Sequence, residues 1–284
     1  MERILITGVQ SYLGTSFEKW VSKWSGKYSV DTIDMKKDNW KEADFSKYNV
    51  VLHVAGIVHI KETKENEEIY YRVNRDLVYE TALKAKVEGV KQFIFLSSMS
   101  VYGLKTGVVD SDTPLKPTSN YGKSKLEGEE LIKSLNDNNF KVVILRPPMI
   151  YGRGCKGNYQ RLAKLAVNTM IFPDIDNRRS MIYINNLCEF VRLLVEDSKS
   201  GIFFPQNEEY VCTSKMVEAI AKAHGKKVWL TKAFNPIIRV FKFSTVSKLF
   251  GDLVYDKKMS TYGKNYWVCD FETTLKEIEE LEDI

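Results

Sequence analysis

The sequence has few of the residues that build metal centres and disulfide frameworks. Among its 284 residues are 4 cysteines and 3 histidines. The cysteines, Cys155, Cys188, Cys212 and Cys269, lie far apart and form no C-x-x-C pair. A structural zinc site needs four closely placed Cys or His ligands, and disulfide frameworks occur in secreted chains that are dense in cysteine. The sequence therefore predicts free thiols in a reducing cytosol and no metal site.

Long apolar runs and blocks of like charge are also missing. No stretch of about 18 apolar residues is present, so no membrane span is expected. The chain begins directly with a predicted strand instead of a signal peptide, which favours a cytoplasmic protein. Its net charge of +5 is spread along the chain without a run of five like charges. A nucleic-acid partner is therefore not expected, whereas an anionic small molecule is compatible with the charge.

Strand and helix patterns alternate through the first half of the chain. Amphipathic helices separate most of the apolar strands, which are predicted at 3–7, 28–34, 49–54, 91–98 and 141–146. This alternation is typical of an α/β fold with a Rossmann-type doubly wound parallel sheet. The short polar stretch between the second and third strands predicts that the crossover helix there is missing or reduced.

The alternation becomes irregular after Pro147. We expect an NAD(P)-binding Rossmann domain over residues 1–149, to which residues 180–203 return. Residues 150–179 and 204–284 are expected to form a smaller mixed α/β substrate lobe. Ligands of parallel sheets bind at the carboxyl ends of the strands, so the site should lie at that edge of the first domain.

One segment of the lobe, residues 236–250, is strongly apolar on one side. Arg239, Lys242 and Lys248 lie among its apolar residues. Packing inside the lobe or at a subunit contact is the favoured interpretation, and a helix on a membrane surface is the alternative.

A glycine turn follows the first strand. Gly8 permits a tight turn and Gly14 a close helix–strand contact, so that backbone N–H groups, including those of Tyr12 and Leu13, can reach a phosphate at the helix start. Ser11 stands where the middle glycine of a G-x-x-G-x-x-G pattern is expected. Serine fits this turn if its backbone keeps a negative φ, and its hydroxyl can itself bond a pyrophosphate. An ordinary strand–helix turn is the alternative.

An acid ends the second strand. Asp34 lies 26 residues after Gly8, where a carboxylate accepts hydrogen bonds from an adenosine ribose and favours NAD. Lys36 and Lys37 follow at once and can face a 2′-phosphate, so NADP stays open.

Tyr121 and Lys125 are four residues apart in a predicted helix and share one of its faces. A lysine ammonium beside a phenol is expected to lower the tyrosine pKa from about 10, which prepares Tyr121 to exchange a proton near neutral pH. The buried strand before this helix ends in hydroxyl residues that include Ser98 and Ser100. The Ser98 hydroxyl can polarise a substrate carbonyl or alcohol next to the tyrosine.

In their order and spacing these features resemble the extended short-chain dehydrogenase/reductase superfamily, specifically its NAD-dependent epimerase/dehydratase family. The resemblance runs from about residue 3 to about residue 225. The segments that carry it are Ile6-Thr7-Gly8 with Gly14, Leu52-His53-Val54-Ala55-Gly56, Val73-Asn74, Ser97 to Gly103, Tyr121-Gly122-Lys123-Ser124-Lys125, Leu145 to Gly152 and Arg179 to Leu187.

The resemblance implies roles for these residues on a nucleotide-diphosphate sugar. Tyr121 would remove the proton of the sugar C4 hydroxyl, Lys125 would hold the phenolate and the nicotinamide ribose, and Ser98 would bond the reacting oxygen. Cofactor contacts are expected from Tyr121, Lys125 and the glycine turn, from Asp34, and from His53, Ala55, Gly56, Asn74 and Pro148. Substrate contacts are expected from Ser98, Ser100, Tyr121, Asn158 and Arg179, with the Arg179 guanidinium on the diphosphate. A homodimer follows by family analogy.

Three functions fit these residues. A UDP-sugar 4-epimerase with bound NAD is favoured by Asp34. A nucleotide-sugar 4-ketoreductase of bacterial polysaccharide synthesis stays open, because Ser11 breaks the glycine pattern and Lys36 follows Asp34. A non-catalytic dinucleotide-binding sensor is disfavoured, because such a protein is expected to lose Tyr121 or Lys125. The divergent C-terminal third leaves the sugar and the base unassigned.

Overall fold

The computed structural model describes residues 1–58, 62–155, 157–240 and 249–279. Its strands are β1 (Glu2–Thr7), β2 (Tyr28–Ile33), β3 (Val50–His53), β4 (Gln92–Leu96), β5 (Gly107–Val109), β6 (Lys141–Leu145), β7 (Met149–Tyr151), β8 (Ile171–Pro173), β9 (Met181–Tyr183), β10 (Gly201–Phe203), β11 (Trp229–Thr231) and β12 (Leu253–Tyr255). Its α-helices are α1 (Tyr12–Val21), α2 (Glu67–Tyr71), α3 (Leu77–Val87), α4 (Asn120–Lys133), α5 (Asn158–Asn168), α6 (Ile184–Glu196), α7 (Thr213–Ala223), α8 (Asn235–Val240) and α9 (Phe271–Glu279).

The chain divides into two compact units. The first unit consists of residues 1–103, 114–147 and 187–205. The second consists of residues 104–113, 148–186 and 206–284. Loop 104–113 belongs to the second unit because β5 pairs in parallel with β12.

A six-stranded parallel sheet forms the centre of the first unit, with the strand order β10-β6-β4-β3-β1-β2. All four residues of β3 are buried, and so are the last four of β1. Strands covered by helices on both faces need such continuous apolar runs instead of an alternating pattern. The predicted doubly wound α/β fold is confirmed.

The connection between β2 and β3 contains one short 3₁₀ helix, Asp38–Lys41. Its buried Trp40 packs in the same apolar cluster as Phe45, Val51 and Phe93. The Trp40 side chain thus covers a part of the sheet that a full crossover helix would otherwise cover. The prediction of a reduced crossover is confirmed.

The second unit contains three separate two-stranded parallel sheets, β7–β9, β8–β11 and β5–β12. Buried tyrosines hold the first of them to α9: the Tyr151 hydroxyl lies 3.0 Å from Thr274 Oγ1, and the Tyr183 hydroxyl donates to Glu277 Oε2 at 2.8 Å. Residues 241–248 of the apolar segment 236–250 lie outside the described residues. In the described parts of the chain, no helix combines the length and the apolar character needed to cross a bilayer.

Candidate active site

The glycine turn lies at the carboxyl end of β1. Gly8 has a φ of +94°, a backbone region that favours glycine, and its N–H donates to Ile33 O at 2.9 Å. A Cβ on Gly8 would lie 3.2 Å from the backbone of Ala55, and a Cβ on Gly14 would lie 2.9 Å from Ile6 Cγ2. Both glycines are therefore fixed by close packing of this turn against neighbouring strand ends.

Ser11 caps the first helix. Its φ of −66° confirms the expected negative value, and its Oγ accepts a hydrogen bond from Gly14 N at 3.2 Å. Because the hydroxyl uses an acceptor site for the cap, its O–H remains a donor for an anion. The N–H groups of Tyr12 and Leu13 lie in the first turn of α1, where a helix has no internal acceptors for them.

Asp34 follows β2 directly and is exposed. Its position is next to the glycine turn, because Ile33 and Thr7 are paired in the sheet. Oδ1 of Asp34 accepts a hydrogen bond from Lys36 N at 3.0 Å, which orients the carboxylate. Lys36 and Lys37 are exposed as well. The surroundings of Asp34 are therefore open to a ribose with or without a 2′-phosphate.

His53 ends β3 and is fully buried. Its Nδ1 lies 3.0 Å from Thr7 Oγ1, and its ring stacks on Phe93 with centroids 5.6 Å apart. Burial, with a smaller contribution from the positive charge of Lys125, lowers the pKa of His53 to about 3. The ring is therefore neutral at physiological pH. Its Nε2 has no hydrogen-bond partner among the residues that the structure describes.

A π-helical segment, Arg72–Asp76, joins α2 to α3 and carries the buried Asn74. The Asn74 amide accepts from Ile57 N at 2.9 Å and donates to Ile57 O at 3.0 Å and to Ser124 Oγ at 3.3 Å. Asn74 thus ties the loop after β3 to α4. A Cβ on Gly56 in this loop would lie 3.1 Å from Asn74 Oδ1 and 3.2 Å from Lys125 Nζ.

These features fit a dinucleotide. The crowded glycines leave no room for side chains where a cofactor would approach the backbone, and the orphaned Nε2 of His53 is a buried polar atom that a ligand can satisfy. The glycine turn with Ser11 would hold the pyrophosphate, and Asp34 would hold the adenosine ribose.

Helix α4 begins at Asn120 and presents Tyr121 in its first turn. Ser119 caps the helix by accepting from Gly122 N at 3.1 Å. The Glu62 carboxylate accepts from the N–H groups of Asn120 and Tyr121, each at 3.1 Å. Sequence analysis missed Glu62, because nothing in its local pattern indicates a contact 58 residues along the chain.

The Ser98 hydroxyl lies beside the Tyr121 hydroxyl. Burial raises the pKa of Tyr121 above its usual value of 10, and the neighbouring Ser98 opposes this in part. The expectation that Lys125 lowers this pKa is not met in this structure. Lys125 is buried and donates from Nζ to Leu96 O at 2.8 Å, and burial lowers its own pKa to about 7. The lysine is thus held by a strand-end carbonyl one helical turn below the tyrosine.

Ser98 and Ser100 form a small hydroxyl pair after β4. Ser98 Oγ accepts from Ser100 N at 3.1 Å and donates to Ser100 Oγ at 3.1 Å. Helix α4 approaches this turn closely, since a Cβ on Gly122 would lie 2.7 Å from Ser100 O. The structure therefore brings Tyr121, Lys125, Ser98 and Ser100 together.

Sequence analysis missed a buried ion pair between Glu129 and Arg146. The guanidinium of Arg146 contacts both carboxylate oxygens of Glu129 with Nε, at 3.1 Å each, and donates to the Tyr102 hydroxyl at 3.0 Å. Ser97 Oγ also donates to Glu129. Glu129 lies four residues after Lys125, so helical spacing alone could have placed it on the lysine's face. The pair joins α4 to the ends of β4 and β6.

The remaining predicted site residues belong to the second unit. The backbone of Arg179 pairs with Val211 through two hydrogen bonds of 2.9 Å, and its NH1 donates to Gly251 O at 3.0 Å. Burial lowers the pKa of this guanidinium. Pro148 is buried ahead of β7, and Asn158 is the first residue of α5, although its side chain lies outside the described residues. Roles for these residues toward ligands stay predictions.

Comparisons with known proteins agree with the fold. The family described as the NAD dependent epimerase/dehydratase family matches residues 4–212. A UDP-glucose 4-epimerase of Vibrio cholerae is 29% identical over 274 residues, which span 87% of this chain and 82% of that protein.

Two solved structures share the architecture. A UDP-glucuronic acid 4-epimerase from Bacillus cereus in complex with NAD gives a TM-score of 0.75 at 20% identity, covering 98% of this chain and 97% of that one. A dTDP-4-dehydrorhamnose reductase from Clostridium acetobutylicum ATCC 824 gives 0.75 at 20% identity, covering 99% and 100%. At this identity the likeness shows the fold alone.

Proposed function

The chain belongs to the NAD dependent epimerase/dehydratase family, and we propose that it is a UDP-sugar 4-epimerase. The observation that carries this proposal is the cluster at the carboxyl end of β4. There Ser98 lies beside the Tyr121 hydroxyl, and the buried Lys125 lies below it on the same helix. Gly56 lies next to Lys125 and Ala55 next to Gly8, so this cluster is continuous with the glycine turn.

Each residue of the cluster has a distinct task in this proposal. NAD, when bound, supplies the acceptor and donor of hydride for the sugar C4. Tyr121 takes the proton of the C4 hydroxyl during oxidation and returns it during reduction. Ser98 lies beside the phenol, and its hydroxyl is proposed to orient the reacting oxygen next to Tyr121. Lys125, one helical turn below Tyr121, is proposed to bond the nicotinamide ribose.

The second unit is proposed to hold the nucleotide diphosphate through Arg179. Its guanidinium uses NH1 for a backbone carbonyl and forms no ion pair within the described parts of the chain. Its guanidinium is half-buried and feels the charge of the Asp252 carboxylate without forming a close ion pair with it. Such a guanidinium suits phosphate oxygens, which accept two parallel N–H groups. Arg178 differs, because it is exposed and lies 3.8 Å from an Asp252 carboxylate oxygen.

A nucleotide-sugar 4-ketoreductase is the second candidate. The observation that favours it is the exposed pair Lys36 and Lys37 next to Asp34, since two cations there suit the 2′-phosphate of NADPH. A structural relative with this architecture is a dTDP-4-dehydrorhamnose reductase. The epimerase is preferred because the V. cholerae relative, which matches most of both chains, is named as one.

The two candidates differ in how they use the cofactor. We expect the purified protein to retain NAD and to convert UDP-glucose or UDP-N-acetylglucosamine to its C4 epimer without added cofactor. Consumption of NADPH that occurs only with a 4-keto sugar would instead establish the reductase. Size-exclusion chromatography with light scattering on the same sample tests the homodimer, which remains a proposal by family analogy.

A further inference from the structure

The two-stranded sheet β8–β11 of the second unit has a large apolar surface. Met170, Ile171 and Trp229 are 78%, 54% and 61% exposed. Ile171 and Trp229 are register partners, and Trp229 N donates to Met170 O at 2.8 Å, so the three residues are neighbours. We refer to these three residues as the β8–β11 face.

The opposite side of the same sheet faces the core. Phe172, next to Ile171 in the strand, is buried and packs against Phe250 with ring centroids 5.6 Å apart. Alternation along β8 therefore places Phe172 inward and Ile171 outward. Ile171 and Trp229 are thus exposed because they are paired on the outer side of this sheet, not because the strand end is frayed. Ile171 and Trp229 share the exposed side of the sheet, and the exposed Met170 precedes the strand. This grouping differs from the single exposed apolar residues that are normal on protein surfaces.

Lysines frame the β8–β11 face. Lys227 Nζ lies 3.9 Å from the centroid of the Trp229 ring. Lys226 Nζ donates to Val167 O at the end of α5, at 2.8 Å. Lys226 and Lys164 also line one hollow of about 510 Å³ together with Val167. Lys227 thus lies directly on the apolar cluster, and Lys226 lies at the end of α5, against Val167, which is three residues before Met170.

In the sequence, the segments that contain β8 and β11 are basic, although Asp174 follows β8 directly. Residues 148–173 contain four Lys or Arg and no Asp or Glu, and residues 219–251 contain seven and none. The whole chain has 37 acidic residues against 42 basic ones. Positive charge is thus concentrated in the two segments that supply β8 and β11, although the net charge of the chain is mild.

From this arrangement we propose that the β8–β11 face docks on an anionic lipid surface. Tryptophan is suited to the boundary between headgroups and acyl chains, because its ring is apolar and its indole N–H is polar. Lysines at the rim then meet lipid phosphates and extend their apolar stems along the interface. The contact is peripheral and reversible. It rests on the surface of the second unit alone and does not depend on the proposed reaction.

Vesicle sedimentation tests this proposal on the full chain. We expect the protein to sediment with phosphatidylglycerol-containing vesicles, not with pure phosphatidylcholine vesicles, and to be released as ionic strength rises. Trp229→Glu removes the aromatic anchor and adds a negative charge, and Lys227→Glu reverses one rim charge. Each change should lower the partition coefficient by about tenfold or more, because Lys227→Glu replaces an attractive charge with a repulsive one and Trp229→Glu replaces an apolar anchor with a repulsive charge.

Val87→Glu is the matched control, because Val87 is 77% exposed on α3 of the first unit and the change of side chain has the same character. It should bind vesicles like the unchanged protein. If Trp229→Glu fails to fold by circular dichroism, Ile171→Glu takes its place. The proposal is overturned if the protein ignores anionic vesicles, binds both vesicle types equally, or binds unchanged when the face is altered. Concentration-dependent self-association that Trp229→Glu abolishes, without vesicle binding, assigns the face to a second copy of the chain instead.

Discussion

The two units of the chain present their polar groups in different ways. In the first unit the candidate residues follow parallel strands and are fixed by short-range contacts: Gly8 against Ala55, Asn74 around Ile57, and Lys125 on Leu96 O. In the second unit the predicted ligand group, Arg179, lies between paired backbone segments and contacts one carbonyl.

This difference shows what each kind of architecture requires of its sequence. A parallel sheet brings the ends of all its strands to one edge, so residues that are far apart in sequence meet there by topology. Three small separate sheets have no common edge, and their chemistry depends on individual loops. The first unit is therefore expected to carry the bond-making chemistry, and the second to carry recognition of the substrate.

The Tyr121→Phe substitution is the strongest test of the assignment of the chemistry to the first unit. Loss of the proton-transferring hydroxyl should lower kcat by about a thousandfold, within the range of general acid–base contributions. Retained NAD and the unfolding midpoint should change little, because only the hydroxyl is removed. Tyr210→Phe in the second unit is the matched control, since its hydroxyl donates to Tyr255 O at 2.8 Å and has no proposed catalytic task. Equal turnover of the Tyr121 variant and the unchanged protein would move the chemistry away from the first unit.

Glu129→Gln tests the buried pair that holds α4 in place. Removing one charge leaves the Arg146 guanidinium buried without its counter-ion, which should reduce the free energy of unfolding by about 3 kcal/mol. Glu80→Gln is the control, because the Lys41–Glu80 pair, with 3.2 Å between Nζ and Oε2, is half-exposed, and its loss should cost less than about 1 kcal/mol. Urea unfolding of both variants gives the comparison. Similar losses in the two variants would show that the buried pair has no special structural role.

Arg179→Met addresses the second unit. If the guanidinium binds the diphosphate, KM for the UDP-sugar should rise about 10- to 100-fold, as expected for a lost charge-assisted contact, while kcat changes less. Arg178→Met should leave KM unchanged, because Arg178 is exposed and faces Asp252. Steady-state kinetics on the two variants separates the adjacent arginines. An equal effect, or an effect confined to kcat, would remove Arg179 from the substrate site.

The smallest expected effect is on the pH dependence of stability. The pKa of Lys125 is about 7 in the folded chain and near 10.5 when unperturbed. Between these values the unfolded chain binds a proton that the folded chain has lost, so this residue makes stability increase as pH rises. In the unchanged protein, Lys125 should increase the free energy of unfolding by an amount on the order of 1 kcal/mol between about pH 7.5 and 9.5. The Lys125→Met variant should not show this increase. Urea unfolding of the variant and of the unchanged protein across this pH range measures the difference. If the two free energies of unfolding change with pH in the same way, Lys125 does not have a lowered pKa in the folded chain.

Much of the first unit could be predicted from sequence because its signals are local. The negative φ of Ser11, the reduced crossover before Asn49 and the shared face of Tyr121 and Lys125 all follow from neighbouring residues and regular periodicity. The sheet order and the helix contacts follow from topology, and the predicted fold class agrees with them.

The pKa of Tyr121 could not be predicted in the same way. Helical spacing places Lys125 near Tyr121, but it does not show that Leu96 O accepts a hydrogen bond from the lysine Nζ or that burial raises the pKa of Tyr121. The same holds for Glu62, whose contact with the start of α4 spans a long stretch of chain. Such effects depend on the packed environment, which periodicity does not describe.

The central claim, that Tyr121 and bound NAD epimerise a UDP-hexose at C4, is tested most directly by isotope transfer. Substrate carrying deuterium at C4 should be converted by the purified protein, without added cofactor, to an epimer that keeps the deuterium. The Tyr121→Phe variant should give almost no epimer over the same time. Loss of the label from the epimer, or the absence of any epimer without added cofactor, would contradict the account.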